Sequence, residues 1–108
     1  MDKLKTNEAA ALVKLKETLA RDFSLVQLKL FGSKARGDSH PESDIDVLIV
    51  LSGYDWDTEK AVYDLCTDIS IDFGVLVVPV LYSVSEFESE LMRVTPFYQN
   101  VVQDGVSL

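Results

Sequence analysis

The segment Asp44-Ile45-Asp46-Val47-Leu48-Ile49-Val50-Leu51 restricts the fold more than any other part of the chain. Beyond its two acids it is apolar at every position, and a strand with apolar residues on both faces must be covered on both, as in the middle of an α/β sheet. Side chains alternate across a strand, so Asp44 and Asp46 leave it on one face, the face continued by Leu48 and Val50. An Asp-x-Asp at a strand start also serves as a turn or cap signal. Two carboxylates side by side near a core edge, however, repel one another and are costly to desolvate. A shared divalent cation relieves both, and carboxylate oxygens suit a hard ion such as Mg²⁺ or Mn²⁺.

Eleven residues before Asp44, the pair Gly32-Ser33 closes a second apolar run. Glycine lets a backbone come close to a phosphate, and the N–H groups after Gly32, with the Ser33 hydroxyl, suit a phosphate cradle at the start of a short helix. Taken alone, Gly32 is a turn glycine and Ser33 a helix cap; the spacing to the two acids favours phosphate. Lys34 and Arg36 add countercharge or simply face solvent.

Elsewhere the chain alternates helices and strands. Leu12, Leu15 and Leu19, flanked by Ala11 and Ala20, recur at helical spacing from about Asn7 to Asp22. Leu25 to Phe31 alternates, which places Val26, Leu28 and Leu30 inward and Gln27 and Lys29 outward. Asp55 caps a helix that buries Val62, Leu65, Cys66, Ile69 and Phe73 and ends at Gly74. Val75 to Tyr82 is a third strand whose Pro79 marks an edge or a bulge. The strand-helix-strand order implies a parallel crossover. Ser83 and Glu86 have capping-box spacing and start a short helix carrying Phe87 and Leu91. Thr95-Pro96 starts a last helix, with Gly105 just past its end. The expected architecture is α/β, a small mixed sheet flanked by helices.

At 108 residues the chain is read as a single domain over 1–108. The net charge of −8 argues against direct nucleic-acid binding, which relies on neutralised phosphates. The charge is uneven: residues 1–37 carry +4 and residues 38–108 carry −12. The acidic part reads first as a solvated surface and second as a docking face for a basic partner. One cysteine, Cys66, excludes an internal disulfide and a cysteine zinc site. The N-terminal residues have no signal-peptide core and the longest apolar stretch, Val75 to Tyr82, is too short for a membrane span, so a cytoplasmic location is expected. His40 reads as a loop residue, Cys66 as core, and Trp56 as packing over a helix start. Dehalogenase-type phosphatases place their acids after the apolar strand, and an EF-hand loop has no room for Val47 to Leu51. Neither fits.

Phe31-Gly32-Ser33-Lys34-Ala35-Arg36-Gly37-Asp38, a spacer, and Ser43-Asp44-Ile45-Asp46-Val47 together resemble the signature of minimal nucleotidyltransferases of the DNA polymerase beta-like superfamily. The resemblance implies the polymerase beta palm-like fold and Mg²⁺-dependent transfer of a nucleoside monophosphate from a nucleoside triphosphate to a hydroxyl. It implies Asp44 and Asp46 as catalytic metal ligands, and Gly32, Ser33, Lys34, Arg36 and Ser43 as the nucleotide-binding set. It also implies a HEPN-domain toxin as partner, with this chain as the antitoxin.

One family feature is missing. Relatives add a third carboxylate from a neighbouring strand, and Val78 stands at that position; the nearest acids are Asp72 before the strand and Glu86 after it. Two hypotheses follow. The chain is an enzyme acting with one well-held ion or a recruited Asp72, or it is a catalytically weak or inactive nucleotide- or partner-binding module. Larger relatives carry a helical domain for the acceptor. Here a partner protein or a homodimer is expected to supply that surface.

Overall fold

The computed structural model describes residues 4–37 and 44–108. Along the chain come α1 (Thr6–Asp22), β1 (Leu25–Phe31), α2 (Ser33–Arg36), β2 (Ile45–Leu51) and α3 (Trp56–Phe73), followed by β3 (Val77–Ser83), α4 (Val84–Phe87), α5 (Glu90–Arg93), α6 (Pro96–Asp104) and β4 (Val106–Ser107). The strands form one mixed sheet in the order β3-β2-β1-β4. β2 runs parallel to β3 and antiparallel to β1, and β1 runs antiparallel to β4. The all-apolar strand is thus internal, as its sequence requires. β3 lies at the edge, where the missing N–H of Pro79 removes no bond from the ladder.

The helix boundaries follow local chemistry. Asp55 accepts the Thr58 N–H at 2.8 Å, and α3 ends where Gly74 takes a left-handed conformation. Ser83 and Glu86 form the expected capping box at α4, and Thr95 caps α6 with Pro96 in its first turn. Gly105 is needed for a different reason from Gly74. Its backbone is extended, but a Cβ there would lie 2.3 Å from the Val101 carbonyl oxygen, so the close approach itself excludes a side chain.

The sheet is covered on both faces. On one, Ala11, Leu12, Leu15 and Leu19 of α1 and Val62, Cys66 and Ile69 of α3 pack on Ile45, Val47, Ile49 and Leu51 of β2. On the other, Leu48 and Val50 meet Phe87 and Val101, with Phe31, Tyr82, Met92, Phe97 and Tyr98 around them. The second layer is aromatic: the Phe31 and Phe97 rings meet edge to face at 5.4 Å, and Phe87 and Tyr98 lie 5.1 Å apart. Among the described residues no helix is long and apolar enough to cross a membrane.

Three expectations need correction, and one strand was unforeseen. Val26 is 52% exposed rather than inward, because β1 is irregular there: Leu25 pairs with Leu51 but Gln27 already pairs with Val50. That extra residue reverses the alternation, so Leu25, Leu28 and Leu30 share the inner face. The helix expected to carry both Phe87 and Leu91 is two single turns, the second capped by Ser89, and Leu91 is exposed. Trp56 is also exposed rather than packed over its helix start. The short β4, bonded to β1 through Lys29 and Leu30, was not anticipated, since two residues carry no periodic signal.

Candidate active site

β2 presents Asp46 on the same sheet face as Leu48 and Val50, next to Phe31 of β1 and Val78 of β3. Asp44 is exposed just ahead of the strand, while Asp46 is half-buried. Burial first, and the nearby charge of Asp44 second, push the Asp46 carboxyl above its ordinary value. The two acids therefore interact, and the inner one is held in a place that penalises its charge.

Facing Asp46 is Gly32. Its backbone has φ 73° and ψ −156°, a region essentially confined to glycine. A Cβ at this position would lie 2.6 Å from Asp46 Oδ2. The glycine thus serves two needs: a conformation L-residues avoid, and room for a carboxylate to come against the main chain.

Directly after it, Ser33 opens the single turn of α2. The Gly32 and Ser33 carbonyls accept N–H groups of Arg36 and Gly37 at 3.2 and 2.9 Å, and Gly37 ends the turn in the left-handed conformation. The first N–H groups of such a turn have no partner within it and favour an anion. Gly32, Ser33, Asp44 and Asp46 are therefore brought to one end of the sheet. Arg36 is exposed and borders, with Gly32, Phe97, Asn100 and Asp104, a cleft of about 220 Å³ against α6.

Lys34 is placed differently from the expected countercharge. Its side chain is 3% exposed, and Nζ lies 2.6 Å from Glu8 Oε2 of α1, itself 4% exposed. Burial alone would raise the Glu8 carboxyl. The bonds from Lys34 and the Lys5 N–H, with the charges of both lysines, outweigh it and hold the group below its ordinary range. Sequence reading missed Glu8, yet a signal existed: at 8, 11, 12, 15 and 19 it begins the same helical stripe as the buried Ala11, Leu12, Leu15 and Leu19. An acid on an apolar stripe calls for an internal cation. Ser43 and His40 lie outside the described residues.

Val78 pairs in register with Asp46, the neighbouring-strand position at which a third carboxylate would stand. Neither substitute reaches the site. Asp72 is exposed on α3, in the layer on the opposite face of the sheet from Asp46. Glu86 accepts the Ser83 N–H at 3.0 Å and the Tyr54 hydroxyl at 3.2 Å, at the far end of β3. Among the described residues no three His, Cys, Asp or Glu side chains gather as a metal cluster. Asp44 and Asp46 still fit a hard cation: two adjacent acids, one with its charge penalised, beside a backbone that leaves room for its carboxylate.

Known proteins resemble the chain in sequence and in fold. The chain is 41% identical over 76 residues to a Methanocaldococcus jannaschii protein named as a putative protein adenylyltransferase, covering 70% of each. A solved structure described as a putative minimal nucleotidyltransferase superposes with a TM-score of 0.64 at 22% identity, over 93% of this chain and 91% of that one. A toxin–antitoxin solved with AMP-PNP superposes at 0.62 with 21% identity, over 95% of this chain and 72% of that one. The polymerase beta nucleotidyltransferase family matches residues 13–105, and with the mixed sheet and the paired acids in place, the chain belongs to that family.

Proposed function

We propose that the chain binds a nucleoside triphosphate with Mg²⁺ or Mn²⁺ and transfers the nucleoside monophosphate to a hydroxyl of a partner protein. The observation that carries this is the close approach of Asp46 to Gly32, which sets a carboxylate against a corner of backbone suited to a phosphate. Asp44 and Asp46 hold the cation, which when bound neutralises phosphate charge and orients the attack. Gly32 and the N–H groups from Ser33 onward hold the triphosphate tail, and Arg36 at the cleft mouth adds positive charge. Ser43 remains part of the proposed nucleotide set. In the transfer, the acceptor oxygen bonds to the α-phosphorus, the bond to the bridging oxygen breaks, pyrophosphate leaves, and the hydroxyl proton passes to solvent or a nearby base.

A protein acceptor is supported by the name of the M. jannaschii relative, and a toxin partner by the toxin–antitoxin neighbour. On this reading the partner is a HEPN-domain toxin silenced by nucleotidylation, and a partner or a second copy supplies the acceptor surface. A second reading rests on Val78: with two acids and, among the described residues, no third gathered with them, the chain binds nucleotide and partner without transfer.

Incubation with Mg²⁺ and each nucleoside triphosphate, with and without candidate partner proteins, followed by intact-mass measurement separates the two. Gain of one nucleoside monophosphate on the partner supports transfer, and a tight complex with no gain supports the binding module. Unchanged Mg²⁺-dependent nucleotide affinity in the double variant Asp44→Asn, Asp46→Asn would contradict both.

A further inference from the structure

The most heavily enclosed charges in the described structure lie directly behind the glycine-serine corner. Lys34 follows Ser33 in the chain, and its ammonium crosses to α1, where Glu8 receives it at 2.6 Å. The other Glu8 oxygen accepts the Lys5 N–H at 2.8 Å, so the carboxylate is fixed at both ends. We propose that the buried Lys34–Glu8 pair is a positioning device that sets the Gly32–Ser33 corner against Asp46 for the triphosphate tail. The proposal rests on reading that corner as the phosphate site.

Three observations support it. First, α2 is one turn of four residues, too short to hold its own shape, so its placement must come from outside. Second, α1 is a fixed reference, because Ala11, Leu12, Leu15 and Leu19 are enclosed in the main core. Third, a buried ion pair adds little stability over an apolar pair of the same shape, and its best-attested use is to specify one arrangement. An apolar pair would slide; a short, charge-assisted bond between an ammonium and a doubly held carboxylate does not. The corner is thereby bounded on two sides, by α1 through Lys34 and by the Asp46 carboxylate at the bare face of Gly32. Neither Lys34 nor Glu8 needs to touch the nucleotide.

The test replaces the pair with apolar residues, Lys34→Met with Glu8→Leu, and reads three quantities: thermal unfolding, Mn²⁺ affinity without nucleotide by electron paramagnetic resonance, and Mg²⁺-nucleoside triphosphate affinity by calorimetry. The expected result is a folded protein with unaltered Mn²⁺ affinity, since Asp44 and Asp46 are untouched, and triphosphate binding weakened by on the order of tenfold or more. Should the double variant not fold, Glu8→Gln, which keeps the shape and an acceptor for Lys5, is expected to show the same split more weakly. Wild-type triphosphate affinity in a folded variant, or equal loss of Mn²⁺ and triphosphate binding, would overturn the proposal. Absence of triphosphate binding in the unaltered protein would instead overturn the reading of the corner on which it rests.

Discussion

Gly32→Ala is the sharpest single change available to this site, because the structure gives its consequence in two independent terms. The backbone at Gly32 occupies a region in which a side chain costs about 1–3 kcal/mol. At roughly 4–8 °C per kcal/mol for a domain of about this size, the melting temperature should fall by roughly 4–24 °C. The added methyl would also lie 2.6 Å from Asp46 Oδ2, and ordinary contact begins at 3.4 Å, so the carboxylate must retreat by about 0.8 Å. A displacement of that size in a ligand set should weaken Mg²⁺-dependent nucleotide binding by on the order of 10- to 100-fold. Gly53→Ala is the control, since nothing lies within 4 Å of its Cβ position and its φ is not positive. Thermal unfolding by circular dichroism and nucleotide titration by calorimetry, run on both variants, decide the matter. A Gly32→Ala protein that melts and binds like Gly53→Ala would show that neither the conformation nor the contact matters as described.

Further outcomes follow from the neighbouring residues. Asp46→Asn should stabilise the metal-free protein at neutral pH while abolishing Mg²⁺-dependent nucleotide binding. Because burial and Asp44 raise the folded carboxyl, that group's effect on metal-free stability is most favourable at low pH and declines as pH climbs from about 3.8 through the raised value; urea unfolding across this range should lose that component in the Asn variant. Val78→Asp, in register beside Asp46, should increase Mn²⁺ affinity and lower metal-free stability, and paramagnetic resonance with urea titration reads both. Ser70→Ala should cost about 1–3 kcal/mol in urea unfolding, because the hydroxyl that accepts the buried Val77 N–H at 3.0 Å and donates to the Cys66 carbonyl at 2.7 Å is lost.

What could be read from the sequence was whatever repeats or punctuates. The β2 segment announced a central strand because beyond Asp46 it is apolar on both faces, and Asp55, Gly74, Ser83 and Thr95-Pro96 each mark a helix end by a local hydrogen bond or a restricted dihedral. That Val78 takes the place of the family's third acid came from the resemblance, by counting back from Ser83 and Phe87; the register that sets it beside Asp46 belongs to the folded sheet. The failures have a common cause. Val26 was misplaced because an irregular pairing leaves no mark on a single strand, and the burial of Lys34 against Glu8 was not foreseen because that acid lies 26 residues away on another element. Exposure of Trp56 and Leu91 likewise depends on what covers them, which local pattern does not encode.

The extra residue at Val26 reaches further than the strand it interrupts. Every position after it in β1 owes its sheet face to that insertion, including Phe31, which stands opposite Asp46, and through it the turn at Gly32. Straightening the pairing with Val26 kept would rotate the whole downstream segment by half a turn, so that Leu28 and Leu30 exchange sides with Lys29 and Phe31, whereas deleting Val26 removes the irregularity and leaves every face as it is. A single-residue deletion in this strand is thus tolerable at the irregularity itself, and the chemistry at one end of the sheet is phased by an irregular pairing at the other.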